Sequence, residues 1–212
     1  DVDGKLENKK SLLQKVGLPF DEDVPVIGTI SRIADQKGFD LIAKALPAMI
    51  DLNVQFVVLG TGDLEYYKLL RQWQKDFPKN VAVTLKFDEE LAHLIEAGCD
   101  MFLMPSKYEP SGLNQMYSLR YGTIPIVRKT GGLADTVSDF IRDNNKGTGF
   151  VFEAYDSEEM LGAVKNAVDV FSDRKTWQKL MKRVMKLDFS WQAAAEKYIK
   201  LYQKLENSKK RK

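Results

Sequence analysis

Short apolar runs alternate with longer amphipathic stretches along most of this chain. The short runs are rich in Val and Ile and continuously apolar, which predicts strands covered on both faces, as in a parallel sheet. The longer stretches repeat their apolar positions with a helical period. This alternation is typical of a βα architecture. The predicted strands span residues 24–30, 54–59, 81–87, 101–104, 123–128 and 149–152.

Helices are predicted between these strands and at both ends of the chain. After residue 152 the period stays helical almost to the end. We therefore predict one α/β domain, residues 1–212, built on a Rossmann-like, doubly wound parallel sheet of about six strands with helices at the C-terminal end. A disordered basic tail is expected at 207–212. The predicted helices span residues 5–16, 39–51, 63–77, 89–97, 112–121, 133–141, 157–171, 173–187 and 190–206.

Composition narrows the functional classes. The 32 basic and 30 acidic residues nearly balance, so charge gives no reason to expect nucleic acid or a membrane surface as a partner. A single cysteine, Cys99, excludes an internal disulfide, and a single histidine, His93, excludes a multi-histidine zinc site. No apolar run approaches the roughly 20 residues that span a bilayer, and the first residues lack a signal-peptide pattern. We expect a cytoplasmic protein.

Polar and glycine-rich residues follow five of the predicted strands. The carboxyl ends of parallel strands meet at one edge of a sheet, and ligands of open α/β sheets bind at that edge. The five loops should therefore lie together and form the candidate site. They span residues 31–38, 60–63, 87–88, 105–112 and 129–132.

Three of these loops carry side chains with candidate chemistry. Arg32 and Lys37 suit a diphosphate, because they can stabilise charge that builds on a leaving phosphate, although each could equally be an ordinary surface cation. Glu109 could accept hydrogen bonds from sugar hydroxyls or cap a helix. Phe87 could stack on a base or belong to the core.

Two helix starts that contain glycine offer backbone N–H groups to a phosphate. Either could instead be an ordinary tight turn. Both lie in loops at the predicted binding edge. The first comprises Gly112, Leu113 and Asn114, and the second comprises Thr130, Gly131 and Gly132.

Several familiar nucleotide and hydrolase motifs are missing. Gly60 and Gly62 provide only the first two glycines of G-x-G-x-x-G, which disfavours a dinucleotide site but leaves both as candidate contacts for a nucleotide or sugar. There is also no P-loop and no G-x-S-x-G motif.

Three segments together are far more specific than any single motif. Residues 31–38, 105–115 and 120–137 read SRIADQKG, PSKYEPSGLNQ and RYGTIPIVRKTGGLADTV. They closely resemble the C-terminal half of bacterial glycogen synthases and plant starch synthases. The resemblance extends from about residue 8 to residue 202.

The resemblance implies a GT-B architecture, in which two Rossmann-like domains face each other across a cleft. It implies metal-independent, retaining transfer of glucose from ADP-glucose to the non-reducing end of an α-1,4-glucan, without a cofactor. Arg32 and Lys37 then match the pair that binds the diphosphate and stabilises the departing ADP, and Glu109 matches the carboxylate that lines the donor-glucose site. The segment 112–114 matches the helix start near phosphate and ribose, and Phe87 takes the place of an aromatic that packs on adenine.

Two departures from the family pattern matter. Related retaining transferases carry a second Glu where this chain has Tyr117, which fits the synthase branch. The family's N-terminal domain, which holds most of the glucan acceptor site, has no counterpart in these 212 residues. We therefore expect this domain to bind ADP weakly and to transfer no glucose by itself.

Other functions remain open at this point. One is a nucleotide-binding module without catalysis, since a fold does not dictate a function. Another is a GT-B transferase that uses a UDP-sugar, because stacking on a base discriminates poorly between nucleotides. A signalling domain of flavodoxin-like topology is disfavoured, because its first strand should end in an acidic cluster and this one runs into Ser31 and Arg32.

Overall fold

The structure, a computed structural model, describes residues 3–209. Six parallel strands in this part of the chain form one sheet in the order β3-β2-β1-β4-β5-β6. This is the order of a Rossmann-like doubly wound sheet, and it confirms the predicted fold class. The strands are β1 (Val26–Ile30), β2 (Gln55–Leu59), β3 (Val81–Thr84), β4 (Met101–Met104), β5 (Ile124–Arg128) and β6 (Phe150–Phe152).

Helices connect the strands and cover both faces of the sheet. Aspartate side chains cap two of the C-terminal helices: the Asp156 carboxylate accepts from the backbone N–H groups of Glu158 and Glu159, and that of Asp173 accepts from Thr176. A one-turn 3-10 helix lies at Asp35–Lys37. The α-helices are α1 (Asp3–Val16), α2 (Phe39–Asp51), α3 (Leu64–Asp76), α4 (Glu89–Gly98), α5 (Asn114–Tyr121), α6 (Gly131–Thr136), α7 (Ser157–Ser172), α8 (Arg174–Val184) and α9 (Trp191–Lys209).

Apolar side chains on the two faces of the sheet belong to different core clusters. In β2, Phe56 and Val58 pack with residues of α2, α3, α7 and α8, whereas Val57 and Leu59 pack with residues of α1 and α4. All four are at most 3% exposed. Burial on both faces explains why the strand sequences are continuously apolar rather than alternating.

Several predicted elements are too long, among them β3, α6 and α8, the last of which ends at Val184 rather than at residue 187. Strand β3 ends at Thr84, which pairs with Leu59 at the end of β2. Because β3 is an edge strand, it has no other neighbour to extend it, and residues 85–87 leave the sheet. Helix α6 ends at Thr136, so the predicted helix at 133–141 is wrong beyond that residue.

Residues 137–140 follow a different path for a physical reason. Val137 is extended, and the Phe140 N–H donates to Gly149 O beside the end of the sheet. Phe140 is buried against Phe150, with ring centroids 5.9 Å apart. Two of the apolar residues that suggested a helix, Val137 and Phe140, are therefore buried without one.

The C-terminal helix also differs from its predicted bounds. Helix α9 continues to Lys209, past the predicted end at Glu206. The predicted disordered tail at 207–212 therefore begins with helical backbone, and its last residues, 210–212, lie outside the described part of the chain. No helix among residues 3–209 is both long and apolar enough to cross a membrane.

Buried charges tie α1 to the sheet at the edge opposite the candidate loops. Lys9 Nζ lies 2.9 Å from Asp100 Oδ2. Nearby, Glu96 accepts a 2.6 Å hydrogen bond from the Ser118 hydroxyl, and burial raises the pKa of its carboxyl to about 7. Burial also lowers the pKa of Lys5 to about 8.

Candidate functional site

A cavity of about 270 Å³ opens at the carboxyl edge of the sheet, between β1 and β4. The strand order reverses at this point, because β1 leads to β2 on one side and pairs with β4 on the other. Such switch points are where open α/β sheets bind ligands. Six of the predicted site residues line the cavity: Arg32, Lys37, Glu109, Gly112, Leu113 and Asn114.

The cavity carries two cations and one carboxylate, and one of the cations, Lys37, contacts the carboxylate of Glu109. Lys37 Nζ lies 2.5 Å from Glu109 Oε2, with the Lys37 side chain 21% exposed and that of Glu109 10% exposed. The Ser106 hydroxyl donates to the same carboxylate oxygen at 3.2 Å. The pair lies partly out of water, where an ion pair is stronger than on an open surface.

Arg32 is the more exposed cation of the site. Its guanidinium donates to Gln36 Oε1 at 3.3 Å, and Gln36 Nε2 donates to Tyr108 O at 3.0 Å. The Lys107 N–H in turn donates to Gln36 O at 2.9 Å. Gln36 therefore links the loop after β1, which carries both cations, to the loop after β4, which carries Glu109.

The start of α5 forms another part of the cavity wall. The helix begins at Asn114 rather than at the predicted residue 112, and Leu113 is its N-cap. A leucine side chain cannot cap a helix, so the first backbone N–H groups remain free to hydrogen-bond an anion. The Asn114 side chain donates to Ile30 O at 2.9 Å, which fixes this helix start against the end of β1.

Hydrogen bonds hold the backbone carbonyls of the loop that bears Glu109. The Arg128 Nε donates to Ser106 O at 2.8 Å, and a terminal nitrogen of the same guanidinium donates to Lys107 O. Gln115, which is fully buried, donates from Nε2 to the carbonyl oxygens of residues 111 and 112. The loop is thus anchored at both ends, which fixes the position of Glu109 in the cavity wall.

Gly131 and Gly132 also support this loop. A Cβ atom at Gly132 would lie 2.1 Å from Ser111 O, and one at Gly131 would lie 2.1 Å from Glu109 O. The Gly132 N–H donates to Glu109 O at 3.0 Å. The two glycines pack on the Glu109 loop, and neither they nor the N-cap Thr130 belongs to the described cavity wall.

Gly60 and Gly62 serve close packing in the same way. A Cβ atom at Gly60 would lie 2.0 Å from Ser31 O, and one at Gly62 would lie 2.0 Å from Ile33 O. The Gly60 N–H donates to Thr84 O at 3.1 Å. These glycines let the loops after β1 and β2 touch, and neither belongs to the described cavity wall.

Phe87 is the predicted site residue that is furthest from its expected setting. It lies beyond the end of β3 and is 86% exposed, and the described wall of the cavity does not include it. The predicted stacking on a base therefore stays a prediction.

Gln36, Arg128 and Gln115 hold the site together but were not among the predicted site residues. All three lie inside the segments that carry the family resemblance, which is the one sequence signal that marks them. Their contacts depend on which loops meet in space, and a single sequence does not show this. Among residues 3–209, no group of three His, Cys, Asp or Glu side chains is placed to hold a metal ion.

Comparisons with known proteins agree on one family. A model of the family "glycosyl transferases group 1" matches residues 12–184. The chain is 51% identical to a glycogen synthase of Thermosipho melanesiensis over 205 residues, which cover 96% of this chain and 43% of that protein. It is also 51% identical to a glycogen synthase of Koribacter versatilis over 200 residues, which cover 94% of this chain and 41% of that protein.

A solved structure gives the same result. The chain is similar to the catalytic domain of starch synthase IV from Arabidopsis thaliana bound to ADP and acarbose, with a TM-score of 0.86 and 37% identity. The match covers 96% of this chain and 43% of that one. These findings confirm the predicted resemblance to glycogen and starch synthases. The chain spans less than half the length of these relatives.

Proposed function

The chain belongs to the group 1 glycosyl transferases, and on this premise we propose that it is the donor-binding domain of a glucosyltransferase of the glycogen or starch synthase type. The donor in this proposal is ADP-glucose, and the acceptor is the non-reducing end of an α-1,4-glucan. The observation that carries the proposal is the meeting of two cations, one carboxylate and one uncapped helix start in a single cavity at the switch point of the sheet.

Each group has a separate task in this proposal. Arg32, Lys37 and the start of α5 bind the diphosphate and stabilise the negative charge that builds on it as the bond to glucose breaks. Fixed cations and backbone N–H groups can supply this stabilisation because they are already oriented before the reaction. The catalysis proposed here therefore requires no metal ion and no cofactor.

Glu109 lies beside the proposed phosphate position and is tied to Lys37. Its carboxylate can accept hydrogen bonds from the hydroxyl groups of a donor sugar. Phe87 is assigned to the adenine ring on the strength of the family resemblance. The acceptor contacts are assigned to regions outside these 212 residues, so we expect the chain alone to bind ADP without transferring glucose.

The proposal is tested by titrating the chain with ADP, and separately with UDP, while backbone amide NMR shifts are recorded. We expect saturable shifts with ADP at Arg32, Lys37 and residues 112–114, and weaker shifts with UDP. Millimolar nucleotide is needed, because a millimolar Kd corresponds to only about −4.1 kcal/mol.

Two variants make the titration specific. Arg32→Ala should weaken ADP binding at least about tenfold, as expected for the loss of one charge-assisted phosphate contact. Arg71→Ala removes an exposed guanidinium from α3 and should leave binding unchanged. Shifts that centre elsewhere, or no shifts with either nucleotide at millimolar concentration, would contradict the proposal. Equal or stronger shifts with UDP would assign the site to a UDP-sugar instead.

A further inference from the structure

Lys37, which the proposed function assigns to the diphosphate, already forms an ion pair with the carboxylate of Glu109. Its ammonium contacts Glu109 Oε2 at 2.5 Å, whereas the Arg32 guanidinium donates to the neutral Gln36 amide. An ammonium is a compact group with a single positive charge. A phosphate that binds Lys37 therefore shares this charge with Glu109 or takes it from Glu109.

Loss of Lys37 to a phosphate would leave the Glu109 carboxylate without its counter-charge. The carboxylate is 10% exposed, and its described side-chain partners are Lys37 and the Ser106 hydroxyl. When Lys37 turns to phosphate, one hydroxyl donor at 3.2 Å remains for a partly buried negative charge. Removing one partner of such a pair is unfavourable because the remaining charge is neither hydrated nor neutralised.

The chemistry of the ligand decides whether this loss is repaired. A sugar carries several hydroxyl groups that can donate to a carboxylate, and a free nucleoside diphosphate has none at the position of the transferred sugar. A sugar nucleotide can therefore take Lys37 with its phosphates and offer hydroxyl donors to Glu109 in exchange. The free diphosphate takes Lys37 and offers Glu109 nothing.

We propose that the ion pair between Lys37 and Glu109 makes the site discriminate between a sugar nucleotide and the free nucleoside diphosphate. Glu109 opposes the binding of ADP and so favours release of this product, while the donor escapes the penalty through its sugar. This inference rests on the proposed function, and it adds a role for Glu109 toward a ligand that Glu109 does not touch.

The test measures the Kd of ADP and of ADP-glucose by calorimetry or NMR for the chain and for Glu109→Gln, Lys37→Met and the double variant. Glu109→Gln should bind ADP at least about threefold more tightly, which is the effect expected from losing a partly exposed ion pair. The affinity for ADP-glucose should increase less than the affinity for ADP. The ratio of the two Kd values should therefore move toward ADP. In the Lys37→Met background, Glu109→Gln should change the Kd of ADP by less than twofold.

Glu153→Gln is the matched control. Glu153 follows β6 and pairs with Lys129 and Arg142 outside the cavity wall. The variant removes the same charge without freeing Lys37, and we expect no change in ADP affinity. Every variant is first compared with the parent chain by its amide NMR spectrum, to confirm that it is folded.

A measurement on the unmodified chain complements the variants. Addition of ADP should shift the side-chain carboxyl carbon signal of Glu109, since Lys37 leaves it. The inference is overturned if ADP binds but this signal does not move, if Glu109→Gln fails to tighten ADP binding, or if the gain persists without Lys37. A chain that binds ADP and shows any of these results keeps the proposed function, whereas a chain that binds no ADP loses both.

Discussion

Gly132→Ala should damage both the stability of the chain and its candidate site. Gly132 lies in the first turn of α6, where a Cβ atom would be 2.1 Å from Ser111 O and 2.6 Å from Ser111 Cα. These atoms belong to the loop that bears Glu109. Because a carbon and an oxygen without a bond between them need more than 3 Å, the loop and the helix must move apart by about 1 Å.

The expected fall in the free energy of unfolding has two contributions. Forcing one extra methyl group into closely packed backbone destabilises a protein by about 1–3 kcal/mol. The same movement stretches the 3.0 Å hydrogen bond from the Gly132 N–H to Glu109 O, which contributes about 0.5–1.5 kcal/mol. We therefore expect the free energy of unfolding to fall by about 2–3 kcal/mol, and ADP affinity to fall as well, because Glu109 and residues 112–114 shift with the loop.

Urea denaturation followed by circular dichroism measures the first effect, and the ADP titration measures the second. Gly162→Ala is the control: this glycine lies inside α7 with no atom within 4 Å of a new Cβ, so the substitution should stabilise the chain by about 0.5–1 kcal/mol through helix propensity. If Gly132→Ala unfolds at the same urea concentration as the parent chain and binds ADP equally well, the loop does not depend on this contact.

Two further predictions concern pH and activity. Burial raises the pKa of Glu96 from 4.5 to about 7, so the folded state binds a proton that the unfolded state has lost, and stability should fall by up to about 3 kcal/mol as pH rises between these values. Lys5, with a pKa of about 8, titrates mostly above this window, and Glu96→Gln should remove the fall. A parent chain whose urea midpoint is the same at pH 5 and pH 7, or a variant whose midpoint falls as much as the parent's, would contradict this. Incubated with ADP-glucose and a maltooligosaccharide, the chain should yield no longer glucans by chromatography, and any elongation would show that it contains a complete active site.

Most of the fold could be predicted because burial on both faces of the sheet leaves a strong signal in the strands. The predicted bounds of β4 and α2 agree with the structure. The errors lie where a neighbour in space, rather than local sequence, decides the outcome. Residues 85–87 leave the edge strand because β2 has ended, and the chain leaves the helix at Val137 because Phe140 packs beside β6.

The position of the candidate side chains could be predicted from the sequence, whereas the contacts that support them could not. Arg32, Lys37 and Glu109 could be placed at one edge because each follows a strand. By contrast, Arg128 holds the Glu109 loop through hydrogen bonds to backbone carbonyls. Every residue has a backbone carbonyl, so no residue pattern in the sequence predicts such a contact. The same holds for Gly60 and Gly62, which we predicted to contact ligand and which the structure shows packed against the loop after β1.

The position of β1 in the sheet has a consequence for how the molecule assembles. β1 pairs with β2 from Val26 and Gln55 onward, which are close in sequence, whereas its partners in β4, Met101 and Phe102, lie more than 70 residues away. The first three strands can therefore pair early in folding. The other edge of β1 pairs with a segment distant in sequence, and such non-local pairings form slowly. The cavity lies at the β1/β4 pairing, so the site forms only after the two halves of the sheet have joined. A nucleotide bound there would stabilise the complete sheet relative to a state in which its two halves are separate.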